Sequence, residues 1–308
     1  MNYFWTYLKG MAMGAADVVP GVSGGTIAFI TGILDTLLDS IRRIRPSLIT
    51  IIKEQGIKAA FIHINGPFLV PLFAGILTSI ITLAKLISWL LVTHPIPVWS
   101  FFFGLILISV VHMLKQVNRF SIAKLALFAI GVVIAWGITM LNPIALEPSY
   151  INIFFGGAIA ICAMILPGIS GSFILLLLGL YTFVLGAVKS LDLAVMATFA
   201  LGCMAGILSF SHVLSALLRK YHDATILFLT GLMLGTLGKI WPWKQVISWR
   251  TNSAGEQVPL AEHNLSPWQF EHVMQQPAHM AWAIAAMLAG ILLVWGLEKF
   301  AKTRLNEE

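Results

Sequence analysis

Seven residues near the N-terminus, Pro20 to Thr26, read PGVSGGT, and six in mid-chain, Pro167 to Ser172, read PGISGS. A proline followed by glycines and small hydroxyls breaks a helix and starts another. The new helix begins with N–H groups that no helical bond satisfies, and with hydroxyls beside them. Such a start, at the positive end of the helix dipole, suits a phosphate. The candidate phosphate-binding residues are Gly21, Ser23, Gly24, Gly25 and Thr26 in the first stretch and Gly168, Ser170, Gly171 and Ser172 in the second. Ser23 and Ser170 stand where each helix would be capped, leaving its first N–H groups to face a cavity. A single stretch of this kind often does no more than satisfy its own turn. Two of them favour a ligand.

Charged residues inside the apolar sequence are few. Asp17 lies three residues before Pro20, while the matching position of the second stretch is Met164. An aspartate at the bilayer centre costs roughly 2.5–3.5 kcal/mol, so it marks either a site for a coupling proton or Na⁺, or a cap for nearby N–H groups. Four basic residues pair at a spacing of 127: Lys85 with His212, and His112 with Lys239. They are candidates for drawing an anionic headgroup inward from each side, and equally for snorkelling to the membrane surface. Cys162 and Cys203 lie in apolar segments without metal-like spacing and read as packing residues. No metal site and no cofactor is expected.

These residues sit in a chain of 308 residues that is 58% hydrophobic and 10% charged. Soluble domains carry roughly 25% charged residues, so this is an integral membrane protein. Long apolar runs, not alternating ones, make it all-α. The net charge of +6 needs no nucleic acid, because Lys and Arg gather in a few links as they do in cytoplasmic loops. The N-terminus lacks the pattern of a cleaved signal peptide.

The chain repeats itself. Pro20 and Pro167 are 147 apart, and at that offset Gly21, Ser23, Gly24 and Gly32 match Gly168, Ser170, Gly171 and Gly179. At 127, Gly75 matches Gly202 and Gly104 matches Gly231. At 159, GVVIAWG from Gly131 matches GILLVWG from Gly290. The changes of offset are insertions: a basic one at about 40–63 in the first repeat, read as an interfacial amphipathic helix, and a Trp-rich loop at about 241–277 in the second. Small-xxx-small patterns at Gly202/Gly206 and Gly231/Gly235 predict close helix packing.

Six full spans are expected near 67–92, 97–115, 123–142, 193–218, 224–240 and 279–298. Placing the Lys/Arg-rich links inside works only if 6–39 and 151–189 are re-entrant hairpins, each with arms of about ten to fifteen residues. Three spans per repeat is an odd number, so the second repeat is inverted. The expected architecture is therefore an all-α membrane protein of two inverted repeats, 1–142 and 143–308, each a re-entrant hairpin followed by three spans, together forming one transport domain. Both termini are cytoplasmic, the 241–277 loop is extracytoplasmic, and the hairpin tips meet near the midplane, as in secondary transporters.

GAADVVPGVSGGTIAFITGIL, with its echo CAMILPGISGSFILLLLGLY, resembles a bacterial membrane family formerly described as domain of unknown function 368, now regarded as polyprenyl-phosphate transporters. The likeness covers nearly the whole chain. It departs where the second stretch has Ser172-Phe173 for Gly25-Thr26, so the tips need not contribute equally. The resemblance implies a bacterial inner-membrane carrier that returns undecaprenyl phosphate from the outer to the inner leaflet for envelope biogenesis, with the lipid and the bilayer as partners. It leaves coupling to a proton or Na⁺, and a homo-oligomer, open. The alternative is a secondary transporter of a small soluble anion. A channel is disfavoured by the inverted repeats. An enzyme is disfavoured because there is no H-E-x-x-H, no acidic metal cluster and no nucleophile–base set.

Overall fold

A computed structural model describes residues 3–19, 22–45, 47–117, 119–141, 143–144, 146–251 and 257–305. The first repeat opens with α1 (Tyr3–Val18), α2 (Gly24–Ile30) and α3 (Leu34–Arg42), followed by the basic insertion as α4 (Ser47–His63). Then come the long helices α5 (Gly66–Thr93), α6 (Pro95–Lys115) and α7 (Ile122–Met140). In the second repeat α8 (Tyr150–Ile165), α9 (Gly171–Leu177) and α10 (Tyr181–Ser190) precede α11 (Leu193–Lys220), α12 (His222–Gly235) and α14 (Met280–Leu305). Between α12 and α14 lie a 3-10 turn (Leu237–Ile240), the strands β1 (Lys244–Thr251) and β2 (Gln257–Asn264), and α13 (Pro267–Met274).

Among the described residues, five helices are long and apolar enough to cross a membrane, or up to seven if each bent pair is one span. They match the first five expected spans. The sixth falls in α14, whose apolar part, Met280–Gly296, is shorter. The insertion is helical as expected, with a break at Gly56 (φ 84°).

The hairpins differ from expectation in their arms. Each outgoing helix, α1 or α8, has 16 residues, about 24 Å at 1.5 Å per residue. Each return arm is instead a 7-residue helix followed by a sharp bend, 113° between α2 and α3 and 109° between α9 and α10. The physical cause is a glycine at the matched positions Gly32 (φ 69°) and Gly179 (φ 72°). In this left-handed conformation the chain closes a Schellman end: Ile33 N–H donates to the Ala28 carbonyl at 3.0 Å and Leu180 N–H to that of Leu175 at 2.9 Å.

Packing obeys the repeat. Helix α1 lies on α5 as α8 lies on α11, while α7 packs on α12 as α14 packs on α6, so each repeat lends its last helix to the other. Matched glycines make these contacts. Gly75 abuts the Tyr7 carbonyl and Gly202 that of Phe154, and Tyr7 and Phe154 are themselves 147 apart. Gly131 abuts the Phe228 carbonyl and Gly290 that of Phe101, again a matched pair, 127 apart. A Cβ at any of these glycines would strike backbone. The two small-xxx-small patterns fall at these contacts, as expected.

The Trp-rich segment is more than a loop. Strands β1 and β2 pair antiparallel, α13 follows with a capping box at Ser266 and Gln269, and Trp243, Leu265, Phe270 and Ala278 bury a small core of their own with Ile96 and Ala283. The cross-strand pattern was masked in sequence by tryptophans and charges, which read as an irregular link.

Candidate functional site

The two tips touch. Ser23, fully buried, caps α2 by accepting from Gly25 N–H at 3.1 Å, and donates to the Met164 carbonyl of the other hairpin at 2.9 Å. Thr26, also fully buried, accepts from Gly168 N–H at 2.8 Å. Gly25 allows the approach, since a Cβ there would lie 2.6 Å from both the Met164 and Ile165 carbonyl oxygens. The apolar residues Val19, Val22 and Ala28 of one hairpin and Ile165 and Ile169 of the other join the main core around this contact.

This geometry corrects the expectation that α2 offers free N–H groups to a cavity. Gly24 N–H donates to Asp17 Oδ1 at 2.6 Å, and Gly25 N–H is taken by Ser23. A carboxylate of the chain itself already sits at that helix start, where the dipole favours an anion. Gly21 lies outside the described residues. Asp17 has a counterpart at the far end of α2 that sequence reading missed: Lys9 Nζ donates to the Thr31 carbonyl there at 2.9 Å. The signal was available, a lone lysine two helical turns before a lone aspartate in an apolar segment.

The second tip is built differently. Ser170 holds the N-cap position of α9 without making the cap bond, which corrects the expected symmetry with Ser23. Its hydroxyl lies 2.8 Å from that of the exposed Ser172. Ser170 is half-buried and lines a narrow cleft with Gly168, Thr139, Phe173, Thr236 and Lys239. Gly168 needs its positive φ of 91° here, and a Cβ would come 2.7 Å from Thr236 Oγ1. Gly171 is held close to the Ala160 carbonyl of its own hairpin. The cleft volume is about 10 Å³, room for about one water. Phe173, the residue at which the second stretch departs from the first, lies with its ring centroid 5.6 Å from Lys239 Nζ.

Of the four basic candidates, Lys239 is therefore brought to a tip. It also pairs with Glu262 at 3.1 Å. Glu262 takes a second ammonium, Lys244, at 3.4 Å. Lys244 opposes Asn264 across the strand pair, which puts it on the same face as Glu262. Burial pushes the Lys244 ammonium down to about 8, against the pull of Glu262. Burial would raise the Glu262 carboxyl, but Lys244 and Lys239 hold it below the usual range. Neither Lys244 nor Glu262 was singled out in sequence, because no 3.6-residue pattern links strand residues to the helices.

His212 is tied up. Its Nδ1 lies 2.6 Å from the Leu208 carbonyl, which fixes that nitrogen as the donor, and Nε2 accepts from Arg45 Nη2 at 2.9 Å. The cation there is Arg45, supplied by the link before α4. His112 lies 2.8 Å from Gln116 Nε2. Lys85 is exposed on α5 among exposed Ile81, Leu86 and Trp89. Neither His112 nor Lys85 is brought to the tips' shared contact. Cys162 and Cys203 pack against the Gly206 and Gly157 carbonyls between α8 and α11.

Fold and site together define a multi-pass, predominantly helical membrane protein centred on two broken-helix hairpins that meet tip to tip. Residues 13–258 match the family model described as undecaprenyl phosphate translocase-like. The chain belongs to that family. It is 65% identical over 302 residues, 98% of either chain, to a polyprenyl-phosphate transporter of Vibrio cholerae serotype O1. It is 33% identical over 253 residues, 76% of this chain and 85% of the other, to a polyprenyl-phosphate transporter of Staphylococcus aureus. No solved structure gives a significant match. Family and relatives are named for transport, not for an enzymatic reaction.

Proposed function

We propose that the protein transports polyprenyl phosphate, with undecaprenyl phosphate as the lipid, from the outer to the inner leaflet of a bacterial cytoplasmic membrane. In this reading the second repeat is inverted, the hairpins are re-entrant, and Lys239 with the β1–β2 hairpin faces outward. The Lys/Arg-rich links at Arg42–Lys58, Lys115–Lys124 and Arg219–Lys220 support that orientation.

The observation that carries the proposal is the cleft beside the tip contact, where Ser170 and Lys239 converge. The phosphate is received there by the hydroxyls of Ser170 and Ser172 and the Lys239 ammonium. The cleft is smaller than a phosphate, so admission requires the second hairpin to move. Parting the tips frees the Ser23 and Thr26 hydroxyls and the Gly168 N–H together. The donors released by one movement are those the passing headgroup then needs. Asp17, held at the start of α2 by Gly24 N–H, carries the coupling proton or Na⁺.

The test is leaflet-to-leaflet transport of labelled undecaprenyl phosphate in proteoliposomes. Wild type moves the lipid and Ser170→Leu does not. Wild-type vesicles with no more movement than protein-free ones would refute the proposal.

A further inference from the structure

Binding a phosphate in the cleft calls for cations and hydroxyls, yet the ammonium that lines it is paired with a carboxylate. Glu262 bridges Lys239 Nζ at 3.1 Å and Lys244 Nζ at 3.4 Å, and its side chain is only 16% exposed. Lys244 is fixed in place: it is 7% exposed, donates to the Lys239 carbonyl at 2.6 Å, and lies 4.1 Å from the centroid of the Trp99 ring. Lys239 is the more exposed member, at 25%, lying between Glu262 and Phe173 in the lining of the cleft that Ser170 shares. Two ammoniums and one carboxylate leave a single net positive charge.

We infer that Glu262 is a specificity-determining residue, which fits the cleft to a phosphate monoester and turns away a diphosphate ester. The inference rests on the reading of the cleft as the place where phosphate is received. A monoester carries about −1.5 to −2 at pH 7. Lys239 and the hydroxyls of Ser170 and Ser172 can meet that charge without displacing Glu262 from Lys244. A diphosphate brings a further charged phosphoryl group, and a carboxylate, Glu262, already lies 3.1 Å from the Lys239 ammonium. In a partly desolvated site, like charges at close range repel strongly. Discrimination by such a repulsive element is efficient because it costs the correct ligand little. Two lysines without Glu262 would instead favour the more highly charged ester.

The experiment measures affinities of the purified full-length protein in detergent for farnesyl phosphate and farnesyl diphosphate, by titration calorimetry. Wild type should prefer the monophosphate by about tenfold, on the order of one screened like-charge contact. Glu262→Gln keeps the shape and an acceptor oxygen for the lysines but removes the charge, and should shift the ratio about tenfold toward the diphosphate. Glu262→Asp keeps the charge and should preserve the preference. A wild type that binds both esters equally, or a Gln variant with an unchanged ratio, would overturn the inference. So would an Asp variant that shifts the ratio as Gln does. Failure of the underlying reading looks different: Lys239→Met and Ser170→Leu would then leave both affinities untouched.

Discussion

Lys9 and Asp17, eight residues apart on α1, hold opposite ends of α2. Asp17 Oδ1 accepts from Gly24 N–H at its start, and Lys9 Nζ donates to the Thr31 carbonyl at its end. Each charge complements the helix dipole at its own end. The matching positions of the second repeat, 147 residues on, are Gly156 and Met164. The first return helix is therefore charge-clamped to its own arm, and the second is not. This asymmetry fits a transporter in which the second hairpin does the moving.

Asp17→Asn separates the two roles of this carboxylate. The amide oxygen can still accept from Gly24 N–H, and Asn caps helices about as well as Asp, so the variant should fold with less than about 1 kcal/mol lost. It cannot ionise. Gradient-driven accumulation of labelled lipid should disappear, while slow exchange between equally loaded leaflets persists. Accumulation at the wild-type rate would remove Asp17 from any coupling role.

The two serines should respond differently to leucine. Ser23 is fully buried and joins the hairpins, so Ser23→Leu loses a cap and a buried hydrogen bond and adds volume where there is none. A destabilisation of about 2–4 kcal/mol should appear as a lowered thermal midpoint in detergent. Ser170 is half-buried, makes no cap bond and faces the cleft. Ser170→Leu should keep a near-native midpoint and lose transport. Equal effects of the two on stability would contradict this division.

Gly32→Ala tests the bend in the first hairpin. No atom lies within 4 Å of a Cβ built there, so any effect comes from the backbone at φ 69°. The left-handed conformation costs an L-residue roughly 1–2 kcal/mol. Thermal unfolding should register that loss, whereas Gly137→Ala, also in open space but in a helix with ordinary φ, should be neutral or slightly stabilising.

Orientation is checked by cysteine labelling in intact cells, with a cysteine-free background made by replacing Cys162 and Cys203. Lys53→Cys, on exposed α4, should resist a membrane-impermeant maleimide, and Trp268→Cys, 70% exposed on α13, should react. Labelling of Lys53→Cys from outside would reverse the assignment.

What the chain determined by itself was everything periodic or duplicated. Apolar runs of span length specify helices because lipid satisfies no backbone polar group. The offsets of 147, 127 and 159 predicted which glycines do equivalent work, and Gly75 with Gly202, and Gly131 with Gly290, meet matched carbonyls. Gly32 and Gly179 were already paired in sequence, yet the bends they cause depend on a positive φ that composition does not reveal. Only the tertiary structure decided how the tips are used. Whether Ser23 and Thr26 face a ligand or another hairpin depends on how closely Met164 and Gly168 approach, a contact about 140 residues away in sequence. Lys239 belongs to the cleft for the same reason: β1 and β2 fold back and set Glu262 beside it, and a pairing between distant segments leaves no local period to read.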